Sequence, residues 1–285
     1  MTDLTDAVER TALLTAALRS AESLREDRLY NDPYAATLVG DVGPALLAEI
    51  REATFPANAV RTLPSTPDYN AIRTRFFDDF LQEAARDEEM TQIVLAPSGM
   101  DSRAYRMEWP DHIRYFEVDR PAVQDFKAER MRGVEPNADH RVVAVDLTAD
   151  DWEAGLIGAG YDPKRPSTWL LEGLLYYIPE QDGRRMLGRV AELCTPGSRI
   201  AADIVNAAAL TLPSMQPLLK IFESWGCPWV FGSDEPEALF ADCNFDVRAV
   251  QPGEEDANFG RWPDPIPPDD VVDVRRVFFV HGRRR

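Results

Sequence analysis

The chain has 285 residues, of which 45% are hydrophobic, so it is long enough to bury one large core or two modest ones. Its formal net charge of −18 opposes binding to nucleic acid or to an anionic membrane, because both interactions depend on neutralising phosphates. No apolar run is long enough to span a bilayer, and the scattered cysteines form no C-x-x-C pair that would indicate a metal site. Together with the acidic N-terminus, this cysteine usage predicts a cytoplasmic protein without a bound metal.

The first part of the chain predicts helices. Apolar residues recur at helical spacing from Leu4 and Val8 through LTDAVERTALLTAALRSAESLRED. A short helix is expected around Pro44 to Ile50, and a strong one is expected over NAIRTRFFDDFLQEAARDE. We predict that residues 1–88 form an N-terminal helical cap.

From residue 89 onward, strands and helices are predicted to alternate. The expected strands are QIVLA, IRYFEVD, RVVAVDL, the start of TWLLEGLLYY, and SRIAADIVN. The helices between them are DSRAYRMEW, PAVQDFKAERMR, TADDWEAGLIGAG and PEQDGRRMLGRVAELC. Such alternation predicts a parallel sheet with helices on both faces. A final helix (EPEALFADC) and two strands (FDVRAV and VVDVRRVFFVHG) predict an antiparallel hairpin at one edge, so residues 89–285 are expected to be an α/β domain with seven strands.

An aromatic insertion, from about residue 206 to 233, separates the fifth strand from the following helix. A connection of this length is unusual in a compact domain, and long insertions often serve as lids. With the N-terminal helices, it is predicted to cover the strand ends. Additional core packing is an equally good explanation of the same residues.

The loop after the first strand, LAPSGMDSRAYRM, lies where open α/β sheets bind ligands. A dinucleotide or ATP site would need backbone N–H groups directed at phosphate, but Pro97 has no N–H. Gly99 still allows a flat ligand to approach the backbone, which favours the phosphate-free nucleoside of S-adenosylmethionine. Asp119 follows at the distance expected of a ribose-binding acid, and we prefer it to Glu117 because it lies closer to the rim.

Four segments together resemble the leucine carboxyl methyltransferase family, and the resemblance covers nearly the whole chain. They are RTRFFDDFL, APSGMDSRAYRMEWP, YFEVDRPAVQDFK and WLLEGLLYYIP. The nearest branch is that of bacterial S-adenosylmethionine-dependent O-methyltransferases, which include polyketide-tailoring enzymes. The resemblance implies a Rossmann-like class I methyltransferase fold. The chain departs from the family pattern at Pro97, which replaces the first glycine of the loop.

The resemblance also implies which residues bind the cofactor. Arg73 and Arg19 are expected at the methionine carboxylate, Gly99 against the cofactor, Asp119 at the ribose hydroxyls, Asp146 and Leu147 beside the adenine, and Glu172 near the amino group. The residues alone leave alternatives, because Asp146 can equally cap the helix TADDWEAG and Arg73 can belong to a solvated face. Glu172 is more informative, since a carboxylate in an apolar strand is costly to bury without a partner.

Two further residues of the loop are expected to be structural. Asp101 is predicted to cap the helix SRAYRM by accepting a backbone N–H, and Arg103 is predicted to pair with an acid such as Glu117.

Methyl transfer is an in-line displacement, so the protein must chiefly orient the acceptor. Tyr176 is our candidate for the residue that orients it. A carboxylate is already ionised at pH 7, whereas a phenol benefits from a base. His112, His140 and His281 are predicted at the opposite rim of the sheet, which favours a carboxylate. The aromatic residues of the insertion (Phe222, Trp225, Trp229 and Phe231) suit a small, flat natural product. There are three alternatives. The protein could methylate the C-terminal carboxylate of another protein, or it could be an inactive cofactor-binding module. It could also be an NAD-dependent oxidoreductase, which the loop disfavours.

Overall fold

A computed structural model describes residues 7–54, 66–262, 265–268 and 270–285. The predicted N-terminal helices are confirmed. They are α1 (Ala7–Ser23), α2 (Ala35–Val39), α3 (Gly43–Thr54) and α4 (Thr66–Ala85). Leu4, from which the first helix was expected to begin, lies outside the described residues, as does most of the proline-containing stretch before α4.

The remaining described residues alternate between strands and helices. The strands are β1 (Gln92–Leu95), β2 (Arg114–Asp119), β3 (Asp139–Ala144), β4 (Thr168–Leu171), β5 (Arg199–Val205), β6 (Phe245–Val250) and β7 (Val277–Arg284). The helices are α5 (Arg103–Arg106), α6 (Pro121–Arg130), α7 (Trp152–Gly158), α8 (Glu180–Leu193), α9 (Gln216–Ser224) and α10 (Pro236–Ala241).

The described strands form one seven-stranded sheet in the order β3-β2-β1-β4-β5-β7-β6. Strands β1 to β5 run parallel, and Ile93 on the central strand pairs with both Tyr115 and Thr168. Strand β7 lies between β5 and β6 and runs antiparallel to both, with Ala202 opposite Val280. The predicted α/β fold with an antiparallel edge is therefore confirmed. The strand order reverses at β1 and β4, so the ligand crevice belongs at the carboxyl ends of these strands.

Two apolar cores cover the two faces of the sheet, because side chains alternate along each strand. Ile93 and Leu95 face a core that also contains residues of α1, α4 and α9, such as Phe77. Val94 faces the opposite core, together with Trp152 and other residues of the later helices. The N-terminal helices thus share one core with the sheet, while the division into a cap of residues 1–88 and a core of residues 89–285 remains a prediction.

Several details differ from the prediction, including the helices DSRAYRMEW and TADDWEAGLIGAG, which are shortened to α5 and α7. The last strand begins at Val277 rather than Val271, because the intervening residues do not join the β7 pairing and Val272 is 78% exposed. His140 lies within β3 instead of preceding it, and His281 lies inside β7 opposite Ala201 instead of ending the strand. None of the helices in the described ranges combines the length and apolar composition that crossing a membrane requires.

Candidate active site

A cavity of about 510 Å³ lies at the carboxyl ends of β1, β2 and β4, below α1, α4 and the insertion. All of the site residues that the sequence predicts line it. They are Arg19, Arg73, Gly99, Asp119, Asp146, Leu147, Glu172 and Tyr176. The three histidines, in contrast, are not among the lining residues that the structure describes. The structure thus brings the predicted residues together, while their contacts with a ligand remain predictions.

The loop after β1 encloses the carboxylate of Asp119. Gly99 donates its backbone N–H to Asp119 Oδ2 at 2.6 Å, and Arg120 donates its backbone N–H to Oδ1 at 2.8 Å. Ser98 N–H is bonded to the carbonyl oxygen of Val118 at 2.9 Å, and Pro97 has no N–H. The N–H groups of Ser98 and Gly99 are therefore bonded within the protein, and the carboxylate of Asp119 lies where a phosphate site would present donors.

Gly99 fits this loop because its φ of +46° lies in the left-handed region that favours glycine. A Cβ atom at this position would lie 3.3 Å from Cβ of Ala12 on α1. Any larger residue would therefore push against the helix that covers the cavity.

Burial raises the pKa of the nearby Asp119 above its ordinary value, although the two backbone hydrogen bonds act in the opposite direction.

Glu117 occupies a closed environment two residues before Asp119. Its Oε2 lies 2.7 Å from Lys127 Nζ and 3.1 Å from His140 Nε2, and it does not line the cavity. Burial alone would raise the pKa of Glu117, but Lys127 and His140 hold it below its ordinary value. Arg103 was predicted to pair with an acid such as Glu117, but Glu117 is not that acid, because Lys127 from α6 and His140 from β3 already contact its carboxylate.

Arg73 is at the centre of a buried ion network. Its Nη1 lies 2.9 Å from Asp203 Oδ2 and 3.2 Å from the hydroxyl of Tyr176, and its Nε lies 3.0 Å from Glu172 Oε1. Tyr69 also donates its hydroxyl to Asp203 Oδ2 at 3.0 Å. Burial alone would lower the pKa of Arg73, but the two carboxylates raise it well above its ordinary value. The alternative that Arg73 belongs to a solvated helix face is therefore wrong.

Arg103 lies beside this network and fixes Glu172 from the other side. Its guanidinium is 2.8 Å from Glu172 Oε2, 2.7 Å from Asp78 Oδ1 and 2.6 Å from Asp101 Oδ2. Asp101 Oδ1 also accepts the backbone N–H of Arg103, the first residue of α5, at 2.7 Å as predicted, although the N-cap residue of this helix is Ser102. Glu172 is thus held between two arginines, and its side chain remains 14% exposed.

Arg19 and Asp146, two further residues that line the cavity, differ in how they are fixed. Arg19 is bound to Asp32 Oδ2 at 2.8 Å through its Nε, and its Nη2 donates to the carbonyl oxygen of Met100, so it also holds the loop. Asp146 is exposed, and its Oδ1 accepts the backbone N–H of Thr148 at 2.8 Å. The helix-cap interpretation of Asp146 is wrong, because α7 begins only at Trp152.

The part of the cavity wall that contains Tyr176, Phe222 and Trp229 is aromatic. Tyr176 and Trp229 lie with ring centroids 4.6 Å apart, and Phe222 stacks on Trp229 at 5.5 Å. Of the four aromatic residues predicted for the acceptor, Phe222 and Trp229 line the cavity, whereas Trp225 and Phe231 are buried elsewhere. Trp225 packs behind Phe222, and Phe231 belongs to the core on the opposite face of the sheet. The insertion therefore contributes both cavity wall and core.

Sequence reasoning missed several residues of this site. Asp203, Asp32, Tyr69 and Arg275 were not predicted, although Asp203 interacts with Arg73 and the others line the cavity or hold its arginines. Asp203 carries the signal that identified Glu172, namely a carboxylate within the apolar strand RIAADIV. The other three carry no local signal, because their partners come from distant segments.

The strand order and the cavity at the reversal point define a Rossmann-like methyltransferase fold. Two solved structures share it. One is described as a "putative methyltransferase" from Thermobifida fusca, with a TM-score of 0.61, 19% identity and coverage of 99% of this chain and 97% of that one. The other is a DUF574 family protein from Streptomyces avermitilis, with a TM-score of 0.58, 14% identity and coverage of 95% and 97%. At these identities the similarity establishes the fold alone.

Residues 12–191 match the family described as leucine carboxyl methyltransferase, and the chain belongs to this family. A relative from Mycobacterium marinum is 42% identical over 215 residues, which cover 72% of this chain and 66% of the relative. A relative from Mycolicibacterium gilvum is 41% identical over 214 residues, covering 73% and 71%. Both are named "Putative S-adenosyl-L-methionine-dependent methyltransferase", in agreement with the cofactor class that the sequence predicts.

Proposed function

We propose that this protein is an S-adenosylmethionine-dependent O-methyltransferase that acts on a small aromatic acceptor of natural-product type, a carboxylate in preference to a phenol. The observation that carries the proposal is the loop at Gly99, whose backbone N–H binds Asp119 instead of a phosphate, beside an aromatic cavity wall. Membership of the leucine carboxyl methyltransferase family supports the class of reaction.

The nucleoside half of the cavity fits the cofactor. Each oxygen of Asp119 accepts one backbone N–H and keeps a further lone pair, so the carboxylate can accept both ribose hydroxyls. Leu147 and Asp146 line the wall beside it and flank the adenine in this proposal. The absence of glycines for a pyrophosphate agrees with a nucleoside that carries an amino-acid chain.

The charged end of the cavity fits the amino-acid part of the cofactor. Arg73 Nε is buried without an aligned hydrogen-bond partner among the described residues, although it lies 3.0 Å from Glu172. The guanidinium is therefore able to donate a hydrogen bond to the carboxylate of the cofactor, and Glu172 is able to turn toward the ammonium group of the cofactor. Arg19 contributes by holding the loop at Met100 in place.

When bound, S-adenosylmethionine supplies an electrophilic methyl group, and a carboxylate acceptor forms the O–CH₃ bond as the S–CH₃ bond breaks. No proton moves in this transfer, so no base is needed. Among the described lining residues there is no histidine, and burial together with Asp203 raises the pKa of Tyr176 well above its ordinary value. Tyr176 thus remains a neutral phenol that orients the acceptor, and the surrounding aromatic side chains exclude water.

Two measurements test the proposal. Calorimetric titration of the full chain should show binding of S-adenosylhomocysteine and none of NAD, whereas tighter binding of NAD would make the protein an oxidoreductase. Release of S-adenosylhomocysteine from S-adenosylmethionine is then measured with a panel of aromatic acids, phenols and peptides that end in a free carboxylate. We expect release with the aromatic acids. Release with the peptides alone would identify a protein carboxyl methyltransferase. Release with none of the compounds would identify a cofactor-binding module.

A further inference from the structure

Arg275 extends into the cavity from the segment that precedes β7. It is half-buried and lines the cavity together with Tyr69, Leu218 and Val277. Its polar contact is weak, since Nη1 lies 3.8 Å from the thioether sulfur of Met215. Burial lowers the pKa of Arg275 from its ordinary value, and the phenol of Tyr69 opposes this shift. The guanidinium is thus partly desolvated and weakly bound.

This arginine differs from the paired arginines of the same cavity. Arg73 is paired with Glu172 and Asp203, and Arg19 is paired with Asp32. In the part of the chain that the structure describes, no carboxylate lies within ion-pair distance of Arg275. Because a desolvated charge is unfavourable without a counter-charge, this position favours a ligand that brings an anion.

The surroundings of Arg275 restrict the ligand further. Tyr69 stacks on Phe279 with ring centroids 6.1 Å apart, and Phe222 and Leu218 supply apolar surface on the insertion. A guanidinium matches a carboxylate geometrically, since it can donate two parallel hydrogen bonds to the two oxygens. A flat apolar molecule with one carboxylate therefore complements both features.

Resting on the proposed function, we infer that Arg275 binds the carboxylate of the methyl acceptor and selects aromatic acids over neutral aromatic compounds. Methylation of this carboxylate yields an ester without charge, so the ion pair with Arg275 is lost. The product is then held by apolar contacts alone, which favours its release.

The experiment uses the full chain saturated with S-adenosylhomocysteine. Binding of benzoate, cinnamate, 2-naphthoate and indole-3-acetate is measured by calorimetry and compared with binding of the matched primary amides and methyl esters. At least one acid should bind more tightly than its amide and its ester, by about tenfold or more. Arg275→Gln should abolish this preference, and Arg275→Lys should retain part of it because the charge remains without the planar fork.

Arg248→Gln is the matched control, since Arg248 lies on the edge strand β6 with 58% of its side chain exposed. It should change neither the preference for acids nor the affinity for S-adenosylhomocysteine. The inference is overturned if no acid is preferred over its amide in the unmodified protein, or if the preference persists in Arg275→Gln. The inference would also be overturned if Arg275→Gln lowered the affinity for S-adenosylhomocysteine as much as the affinity for the acids, because Arg275 would then be assigned to the cofactor. Failure of the unmodified protein to bind S-adenosylhomocysteine would contradict the proposed function instead.

Discussion

Glu117 and Glu172 are both held by two basic side chains, but they lie in different parts of the molecule. Glu117 is fully enclosed with Lys127 and His140, away from the cavity. Glu172 bridges Arg73 and Arg103 along the cavity wall and keeps 14% of its side chain exposed. An enclosed ion pair can serve only the fold, whereas one at a cavity can exchange a protein partner for a ligand. The following variants test this distinction.

The largest effect is expected for Glu117→Gln. The change leaves Lys127 buried without its counter-charge, so the free energy of unfolding should fall by about 3–5 kcal/mol. Urea denaturation at pH 7 measures this loss. The affinity of the folded fraction for S-adenosylhomocysteine should remain almost unchanged. A loss of affinity as large as the loss of stability would show that the Glu117 cluster also serves the site.

The difference in stability between the unmodified protein and Glu117→Gln should depend on pH. The pKa of Glu117 is lowered from its ordinary value of 4.5, so folding favours the ionised form. Its stabilisation is present above pH 4.5 and is lost as the pH falls through the lower folded-state pKa. The difference in stability between the unmodified protein and Glu117→Gln should therefore shrink in acid. Adding Lys127→Met, which removes the stranded cation, should restore much of the stability at pH 7.

The next largest effect is expected for Asp119→Ala. Loss of the hydrogen bonds to the ribose should weaken binding of S-adenosylhomocysteine by about 1.5–3 kcal/mol, or roughly 10- to 150-fold. Its effect on stability should be smaller than that of Glu117→Gln, because burial raises the pKa of Asp119 and so disfavours its ionised form in the ligand-free fold. Calorimetric titration measures the affinity. Equal losses of affinity in Asp119→Ala and Glu117→Ala would reverse the assignment of the ribose-binding acid.

Asp119 could be predicted from the sequence because its position depends on local order. It ends a strand that belongs to the alternating series of predicted strands and helices, and it follows Gly99 at a fixed distance. The mostly parallel sheet with an antiparallel edge could also be predicted, since parallel strands with intervening helices allow few topologies. Glu172 was implied by the family resemblance, and it also stands out as a charge in an apolar segment.

The partners of Arg103 could not be predicted, because they come from three separate places: Asp78 on α4, Asp101 in the loop and Glu172 after β4. Their meeting depends on how α4 lies across the sheet, which no local pattern encodes. Arg275 was missed for a related reason. Its segment has the composition of a strand, but it leaves the sheet and enters the cavity wall.

A moderate effect is expected for Glu172→Gln. Affinity for S-adenosylhomocysteine should fall by about tenfold, because the ammonium group loses a charged partner. The fold should be less affected than in Glu117→Gln, since Arg73 keeps Asp203 and Arg103 keeps its other two carboxylates. Glu83→Gln on the solvent side of α4 serves as the control. Unchanged affinity in Glu172→Gln, measured by the same titration, would remove this residue from the site.

The smallest effect is expected where the insertion meets the N-terminal helices. Glu49 on α3 accepts the indole N–H of Trp225 at 2.9 Å and lies 3.2 Å from Arg10 Nη2, and the guanidinium of Arg10 lies 4.7 Å from the centre of the Trp225 ring. Arg10 and Glu49 keep 39% and 38% of their side chains exposed, so the ion pair contributes at most about 1 kcal/mol.

If the insertion moves as a lid, Glu49→Gln should speed the dissociation of S-adenosylhomocysteine a few-fold while changing the free energy of unfolding by less than about 1 kcal/mol. Stopped-flow tryptophan fluorescence measures the dissociation rate. Glu180→Gln, which removes an exposed ion pair with Arg184 on α8, is the matched control and should leave the rate unchanged. An unchanged rate in Glu49→Gln would favour the alternative that the insertion is fixed packing, because opening would then not depend on the contact that ties it to α1 and α3.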